Sequence, residues 1–269
     1  MKSTILSSAI HYWPTAIACV ALFTFHVSLS LAQEQGFTNK AEAKNEMKDT
    51  LRKGKWLEYL DEDYKPTADT SKAAYYRLIV YKNGKRYGIV RVFFKDGKKY
   101  GEIPYTDGKK SGLAKYYFEN GKTEYEIPYS NDQMNGVQKH YFENGSIKEE
   151  TTYANSKENG LKKVYTSDGK LMFEINYTDG VKNGLQKLYD MNGVLATKSY
   201  FTNGVRNSAD TDYFRDGKIN AVIPYTNNVE NGVEIHYYEN GKKLSETTYT
   251  EGKAGATTVY DENGKATAK

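Results

Sequence analysis

Two histidines, His140 and His236, four glutamates in register (Glu102, Glu126, Glu150 and Glu174) and several Asp-Gly turns such as Asp107-Gly108 and Asp179-Gly180 are the residues whose types suggest chemistry. A His pair could serve as general base or metal ligand. Paired carboxylates could do acid–base work, and acidic turns could hold calcium. No cysteine follows Cys19, so no thiol nucleophile is left beyond the first segment. No Ser–His–acid set assembles from the remaining residues. Whether any of these groups meet depends on the elements that carry them.

Those elements repeat. An Asx-Gly pair recurs at Asp96-Gly97, Asn120-Gly121, Asn144-Gly145, Asp168-Gly169, Asn192-Gly193, Asp216-Gly217, Asn240-Gly241 and Asn263-Gly264. The step is 24 residues, six times, then 23. A second glycine column (Gly88, Gly112, Gly136, Gly160, Gly184, Gly232) keeps the same step, with Ser208 in its one gap. Two aromatic columns follow. One runs Tyr81, Tyr105, Tyr129, Tyr153, Tyr177, Phe201, Tyr225, Tyr249; the other Phe93, Tyr117, Tyr141, Tyr165, Tyr189, Tyr213, Tyr237, Tyr260. Four columns in one register define a repeat protein. Each unit holds two strand-length segments bounded by turns, such as Thr123–Tyr129 and Val137–Phe142, and so reads as a β-hairpin. Six residues separate Tyr129 from Gly136, which predicts a longer turn there.

The register is testable inside the chain. If Tyr129 opposes Gly136, Glu126 opposes Lys139. The same rule pairs Glu102 with Lys115, Glu150 with Lys163 and Glu174 with Lys187. Where the Glu slot holds Val222, the Lys slot holds Ile235, as cross-strand pairing requires. A Glu–Lys ladder therefore crosses the sheet, and each first-strand aromatic faces a glycine. Alternation puts the second-strand tyrosines, the ladder, Leu113, Val137, Leu161, Leu185 and Val233 on one face. The first-strand tyrosines go with Ile103, Ile127, Ile175 and Ile223 on the other. The expected fold is all-β: a single-layer antiparallel meander of tandem hairpins, stabilised by neighbouring repeats rather than a central core.

This geometry disposes of most of the chemistry. His140 and His236 fall four repeats apart, and at roughly 9.6 Å per two strands they cannot share a metal. Each ladder glutamate has lysines opposite on both sides, so solvated pairing is expected rather than acid–base work. The Asp/Asn turns carry one or two acids each, which suits turn chemistry better than calcium. No cofactor, no metal and no catalytic residue is expected. The second-strand column Tyr117, Tyr141, Tyr165, Tyr189, Tyr213 and Tyr237 is left as a hypothetical binding ridge, since tyrosine is favoured at interfaces.

Composition agrees. The 269 residues include 25 Tyr, 10 Phe and 2 Trp, too aromatic for a disordered chain. With 38 basic and 34 acidic residues the charge is nearly balanced, which argues against a nucleic-acid partner. Residues 1–32 carry one charge, Lys2, then the apolar run Ala16–Leu31 and small residues at Ser30 and Ala32. That is the layout of a signal peptide; an uncleaved anchor is the alternative. Residues 33–53 include Ala43, Met47 and Leu51 at helical spacing, which predicts a short helical cap over the first sheet edge. Residues 54–72 hold a half-repeat strand and the acidic loop Asp61–Lys72, the only sizeable insertion. Eight repeats fill 73–264, and 265–269 form a tail.

The segment Gly112–Tyr129, GLAKYYFENGKTEYEIPY, resembles the bacterial variant of the MORN repeat (membrane occupation and recognition nexus), and the resemblance covers about residues 54–264. It implies an elongated hairpin array used as an interaction platform, in a family often labelled antitoxin-like. Together these features lead to the expectation of an exported, non-enzymatic scaffold in the bacterial cell envelope, periplasmic, outer-membrane associated or secreted, with another envelope protein as partner. Glycan or cell-wall binding through the tyrosine column is the alternative, as is antitoxin or immunity-type binding of a partner toxin.

Overall fold

The computed structural model describes residues 36–267. The signal segment expected over 1–32 lies outside them. Among the described residues no helix is long and apolar enough to cross a membrane. All long strands belong to one antiparallel sheet in which each pairs with its neighbours in sequence; a separate two-stranded pair joins Tyr225–Thr226 to Val229–Glu230. The expected all-β meander is what forms, and its cross-strand pairs are those the repeat dictates. Glu126 faces Lys139 and Lys115, Glu102 faces Lys115, Glu150 faces Lys163 and Lys139, Glu174 faces Lys187, and Val222 faces Ile235.

Two details of the expected hairpin differ. The glycine that faces Tyr129 is Gly112 on its other neighbour, not Gly136, and the same holds for Gly136 with Tyr153 and Gly160 with Tyr177. On the Gly136 side, Tyr129 pairs with Met134, after which the register slips by two residues before Glu126 meets Lys139. The longer turn is therefore a tight turn followed by a bulge. Asn131 and Asp132, both at positive φ, close it (φ 51° and 69°), as twisted two-residue hairpin turns require. Gly136 sits at the slip with φ 120°, and a Cβ there would lie 3.0 Å from Pro128. These tight turns also hydrogen-bond one to the next: Asp132 N donates to Lys110 O, Ser156 N to Met134 O, and Gly180 N to Glu158 O. Adjacent repeats are thereby joined outside the strand ladders.

The Asx-Gly turns are of another kind. Gly121 N donates to Phe118 O, Phe118 N to Lys122 O, and Lys122 N to the Asn120 side chain. Gly121 takes the left-handed position (φ 81°) of a three-residue turn with a bulge. The bulge residue has no partner across the ladder: Tyr116 pairs with Tyr125 and Tyr117 with Thr123, leaving Glu124 over. Its equivalents are Tyr100 and Lys148.

The helical cap expected over 33–53 is not present in its described part. Lys40–Glu42 form one 3-10 turn, and Glu46–Lys48 form a strand on Leu51–Leu60. Asn45, Asp49 and Thr50 take positive φ. Met47 and Leu51 are more than half exposed, so the three apolar residues at helical spacing pack on no common surface. The open edge of Leu51–Leu60 offers backbone bonds instead, and the segment takes them. Lys44 N and Asn45 N donate to Lys55 O, and the Asn45 side chain holds both Leu57 O and Leu57 N. Pro66–Thr67, inside the acidic loop, pairs with Tyr59 and Leu60. The edge is covered, by strands and one amide rather than by a helix.

The sheet is single-layered, yet its two faces differ in burial. On the first-strand face Ile79, Val90, Ile103 and Ala114 are at most 7% exposed. On the ladder face Leu113, Val137 and Val233 are about 45% exposed. With no second layer, such asymmetry follows where the sheet curls toward its first-strand side over the first repeats; further along that face Ile127 and Ile223 are half-buried. A local core was not expected, but one exists over the first repeats. Leu60, Ile79, Tyr81, Val90, Val92, Ile103, Tyr105 and Ala114 form it on the curled side. Phe37, Tyr76, Leu78 and Phe93 form a second cluster on the ladder side, where the chain from Gly36 crosses the sheet.

Candidate functional site

The second-strand tyrosines and the ladder share a face, as expected, and they are bonded to each other. Tyr117 donates its hydroxyl to Glu102, Tyr141 to Glu126, Tyr165 to Glu150 and Tyr189 to Glu174, at 2.8–3.0 Å. Each glutamate lies 15 residues before its tyrosine, diagonally across the sheet. Burial, reinforced by the carboxylate, pushes the Tyr141 and Tyr165 hydroxyls up to about 12. The hydrogen bond from Lys115 and then that from Tyr141 hold the Glu126 carboxyl below its ordinary value. For Glu102 burial acts the other way, but the bonds from Tyr117 and Lys99 outweigh it.

The pattern is interrupted where the sequence changes and returns in the last repeat, where Tyr260 donates to Glu246 at 2.7 Å. At the Glu slot before Tyr213 stands Lys198, whose ammonium lies over the Tyr213 ring at 5.0 Å. The slot before Tyr237 holds Val222. All six ridge tyrosines are half-buried, with hydroxyls of the first four engaged inside the sheet. What this face offers a partner is therefore ring surface, charged ladder groups and the exposed Leu113, Val137 and Val233.

The histidines are far apart in the sheet order and each has a local role. His140 stacks on Tyr125, with ring centroids 4.1 Å apart, and burial and then the Lys148 charge lower its basicity. His236 Nε2 lies 2.7 Å from Glu234. Among the described residues no three His, Cys, Asp or Glu side chains gather as a metal site.

The curled face holds a feature the sequence reading missed. A trough of about 570 Å³ opens over the first repeats, lined by five tyrosines (Tyr64, Tyr100, Tyr105, Tyr116, Tyr125) with Arg77, Lys110, Glu124 and Gln138 at its polar points. Two sequence irregularities build it. The acidic insertion folds back so that Tyr64 stacks on Tyr75 at 4.5 Å and on Tyr100 at 5.6 Å. The bulge after each Asx-Gly turn re-aims one side chain per repeat, here Tyr100 and Glu124. Tyr64 is the only aromatic residue at positive φ (59°) among the described residues, a conformation that costs about 1–3 kcal/mol. Asp61 fixes it: its side chain accepts from Asp63 N and Lys65 N, and its carbonyl from Tyr64 N. A signal was available, since the one sizeable insertion in the 24-residue pattern contains a tyrosine.

Repetition, hairpin geometry and the diagonal tyrosine–glutamate bonds together define a nearest-neighbour array of β-hairpins. Residues 110–131, 134–155, 158–179 and 230–251 match the model of the MORN repeat variant. The chain thus carries MORN variant repeats at four places, a repeat type commonly involved in protein or membrane binding. No curated protein matches it. Among solved structures it is similar to TarM, with 15% identity over 36% of this chain and 23% of that one, at a TM-score of 0.25. It is also similar to the TcdB2-TccC3-TEV structure, with 12% identity over 78% and 16%, at a TM-score of 0.15. The chain spans less than a quarter of either, and at these TM-scores neither likeness bears on its function.

Proposed function

We propose that this chain is a non-enzymatic scaffold of the bacterial cell envelope, exported by its first segment, that presents its ladder face to another protein. The observation that carries the reading is the aliphatic column Leu113, Val137, Leu161, Leu185 and Val233, exposed at Leu113, Val137 and Val233 and half-buried between, beside half-buried tyrosines on a face that no other described segment covers beyond the first repeats. Exposed apolar rows flanked by charge are characteristic of protein contact surfaces. The Glu–Lys ladder would supply orientation and rim contacts there, because paired surface charges add specificity more than affinity.

The test is crosslinking in the native envelope followed by identification of the captured protein, with Leu113→Glu/Val137→Glu as the comparison. Both side chains are exposed, so the double variant keeps the fold. Loss of the captured protein supports the assignment. An unchanged capture removes the ladder face from the reading, and recovery of the chain from the cytoplasm alone removes the envelope. An antitoxin role is the outcome if the captured protein is a toxin encoded beside this chain.

A further inference from the structure

The trough on the curled face lies opposite the surface assigned above and has a different chemistry. Five tyrosines form most of its wall, with Leu60, Val92, Ile103 and Ile127 between them. Its cations are held by the protein's own groups: Glu58 neutralises the Arg77 guanidinium at 2.6 Å, and the Lys110 ammonium, its charge intact and opposite to that of Glu124, lies over the Tyr129 ring at 4.8 Å. Glu124 is different. Its equivalent ladder neighbour Glu126 is held down by bonds from Lys115 and Tyr141, but no hydrogen bond lowers Glu124, and burial pushes its carboxyl up against the weaker pull of Lys148. A carboxylate without a bonded partner and the Gln138 amide therefore stand as free hydrogen-bonding groups beside a tyrosine wall.

We propose that this trough binds a neutral oligosaccharide, with pyranose rings against Tyr64, Tyr100 and Tyr116 and hydroxyls bonded to Glu124 and Gln138. A sugar ring has C–H faces and a hydroxylated edge, which matches an aromatic wall with a polar rim. The near-cancelled charge disfavours a strongly ionic ligand. A polypeptide is disfavoured for another reason: the sheet's backbone groups are engaged in its own ladders, so a peptide laid across the face would leave its own N–H and C=O groups with few partners. The lining comes from consecutive strands between Leu60 and Gln138, so the site is elongated across them and suits a chain of several rings. Its volume lies in the range of small-ligand pockets. The insertion places a strained Tyr64 over an otherwise regular sheet, and strain of this kind concentrates at ligand sites.

Isothermal titration calorimetry of the full chain with cellohexaose, chitohexaose and maltohexaose tests this, with hexalysine and hexaglutamate as peptide probes. At least one hexasaccharide is expected to bind. Tyr64→Ala and Glu124→Gln are each expected to weaken it at least ten-fold, while Tyr141→Phe on the opposite face stays within two-fold. Glu124→Gln removes a carboxylate that burial already disfavours, so it keeps the fold even if Tyr64→Ala loosens the insertion; urea midpoints check both. Absence of heat with all three sugars overturns the proposal. So does an affinity within two-fold in Glu124→Gln, or tighter binding of either peptide, which would give the trough to a polypeptide.

Discussion

Replacing Tyr141 with Phe removes one hydroxyl and nothing else from the ladder face. That hydroxyl donates to Glu126 at 3.0 Å, and Glu126 keeps its ion pair with Lys115 at 2.9 Å. A hydrogen bond to a charged group contributes about 1.5–3 kcal/mol when the group is buried. Here both partners are partly solvated and the carboxylate retains its lysine, so water screening reduces the loss to about 1 kcal/mol. Tyr213→Phe is the internal control. Its Glu slot holds Lys198, and a ring above an ammonium needs no hydroxyl, so that variant is expected to change stability by less than about 0.5 kcal/mol. Urea titrations followed by tyrosine fluorescence and by circular dichroism read both, with coincidence of the two probes checking cooperativity, since repeat arrays can unfold in parts. A double-mutant cycle with Glu126→Gln isolates the pair. Equal losses for Tyr141→Phe and Tyr213→Phe, or no coupling to Glu126, would refute the claim that the tyrosine column is tied down through its glutamates.

Two other expectations follow from the same face. Lys198 also stands opposite Lys187, a like-charge pair in the ladder. Lys198→Glu should replace that repulsion with an ion pair and give Tyr213 an acceptor, a gain of about 0.5–1 kcal/mol read as a higher melting temperature; a lower one contradicts the register argument. The carboxyls of Glu126, Glu102 and Glu174 are all held below their ordinary value of 4.5. A depressed folded-state value means the stabilisation is complete above about pH 4.5 and is lost as pH falls through the lower folded values. The urea midpoint should stay level from pH 7 to about 5 and then drop, and a midpoint unchanged down to pH 3 would contradict it.

The ladder register was legible because two columns change together: Val222 with Ile235 could only be neighbours. The shared face of the ladder and the second-strand tyrosines followed from strand alternation. The diagonal bond from Tyr141 to Glu126 did not, since alternation gives faces but not reach. With the distances in hand, the exchange of Glu for Lys198 before Tyr213 reads as its trace in the sequence. The slip at Gly136 was hidden because hairpin counting assumes equal strands, and the bulge adds two residues to one side without changing the repeat length. The 33–53 segment misled for a related reason. Ala43, Met47 and Leu51 have helical spacing, but an unpaired strand edge nearby offers backbone bonds that three apolar side chains cannot outweigh. The trough was not read because Tyr64 belongs to no column, and periodicity marks the insertion without saying how it folds.

Neighbour-only pairing has a mechanical consequence. A load applied between the first and last strands acts across the strands, so it strains one inter-strand ladder at a time instead of shearing many together. The turn-to-turn bonds and the tyrosine–glutamate diagonals join adjacent hairpins alone and would release with the hairpin they hold. Under tension the sheet should therefore yield in steps of one 24-residue unit, each freeing roughly 80 Å of chain. The doubly covered first repeats should be the last to open. Such a chain would lengthen gradually under load where a globular domain fails all at once, a property suited to a link between two bodies that move.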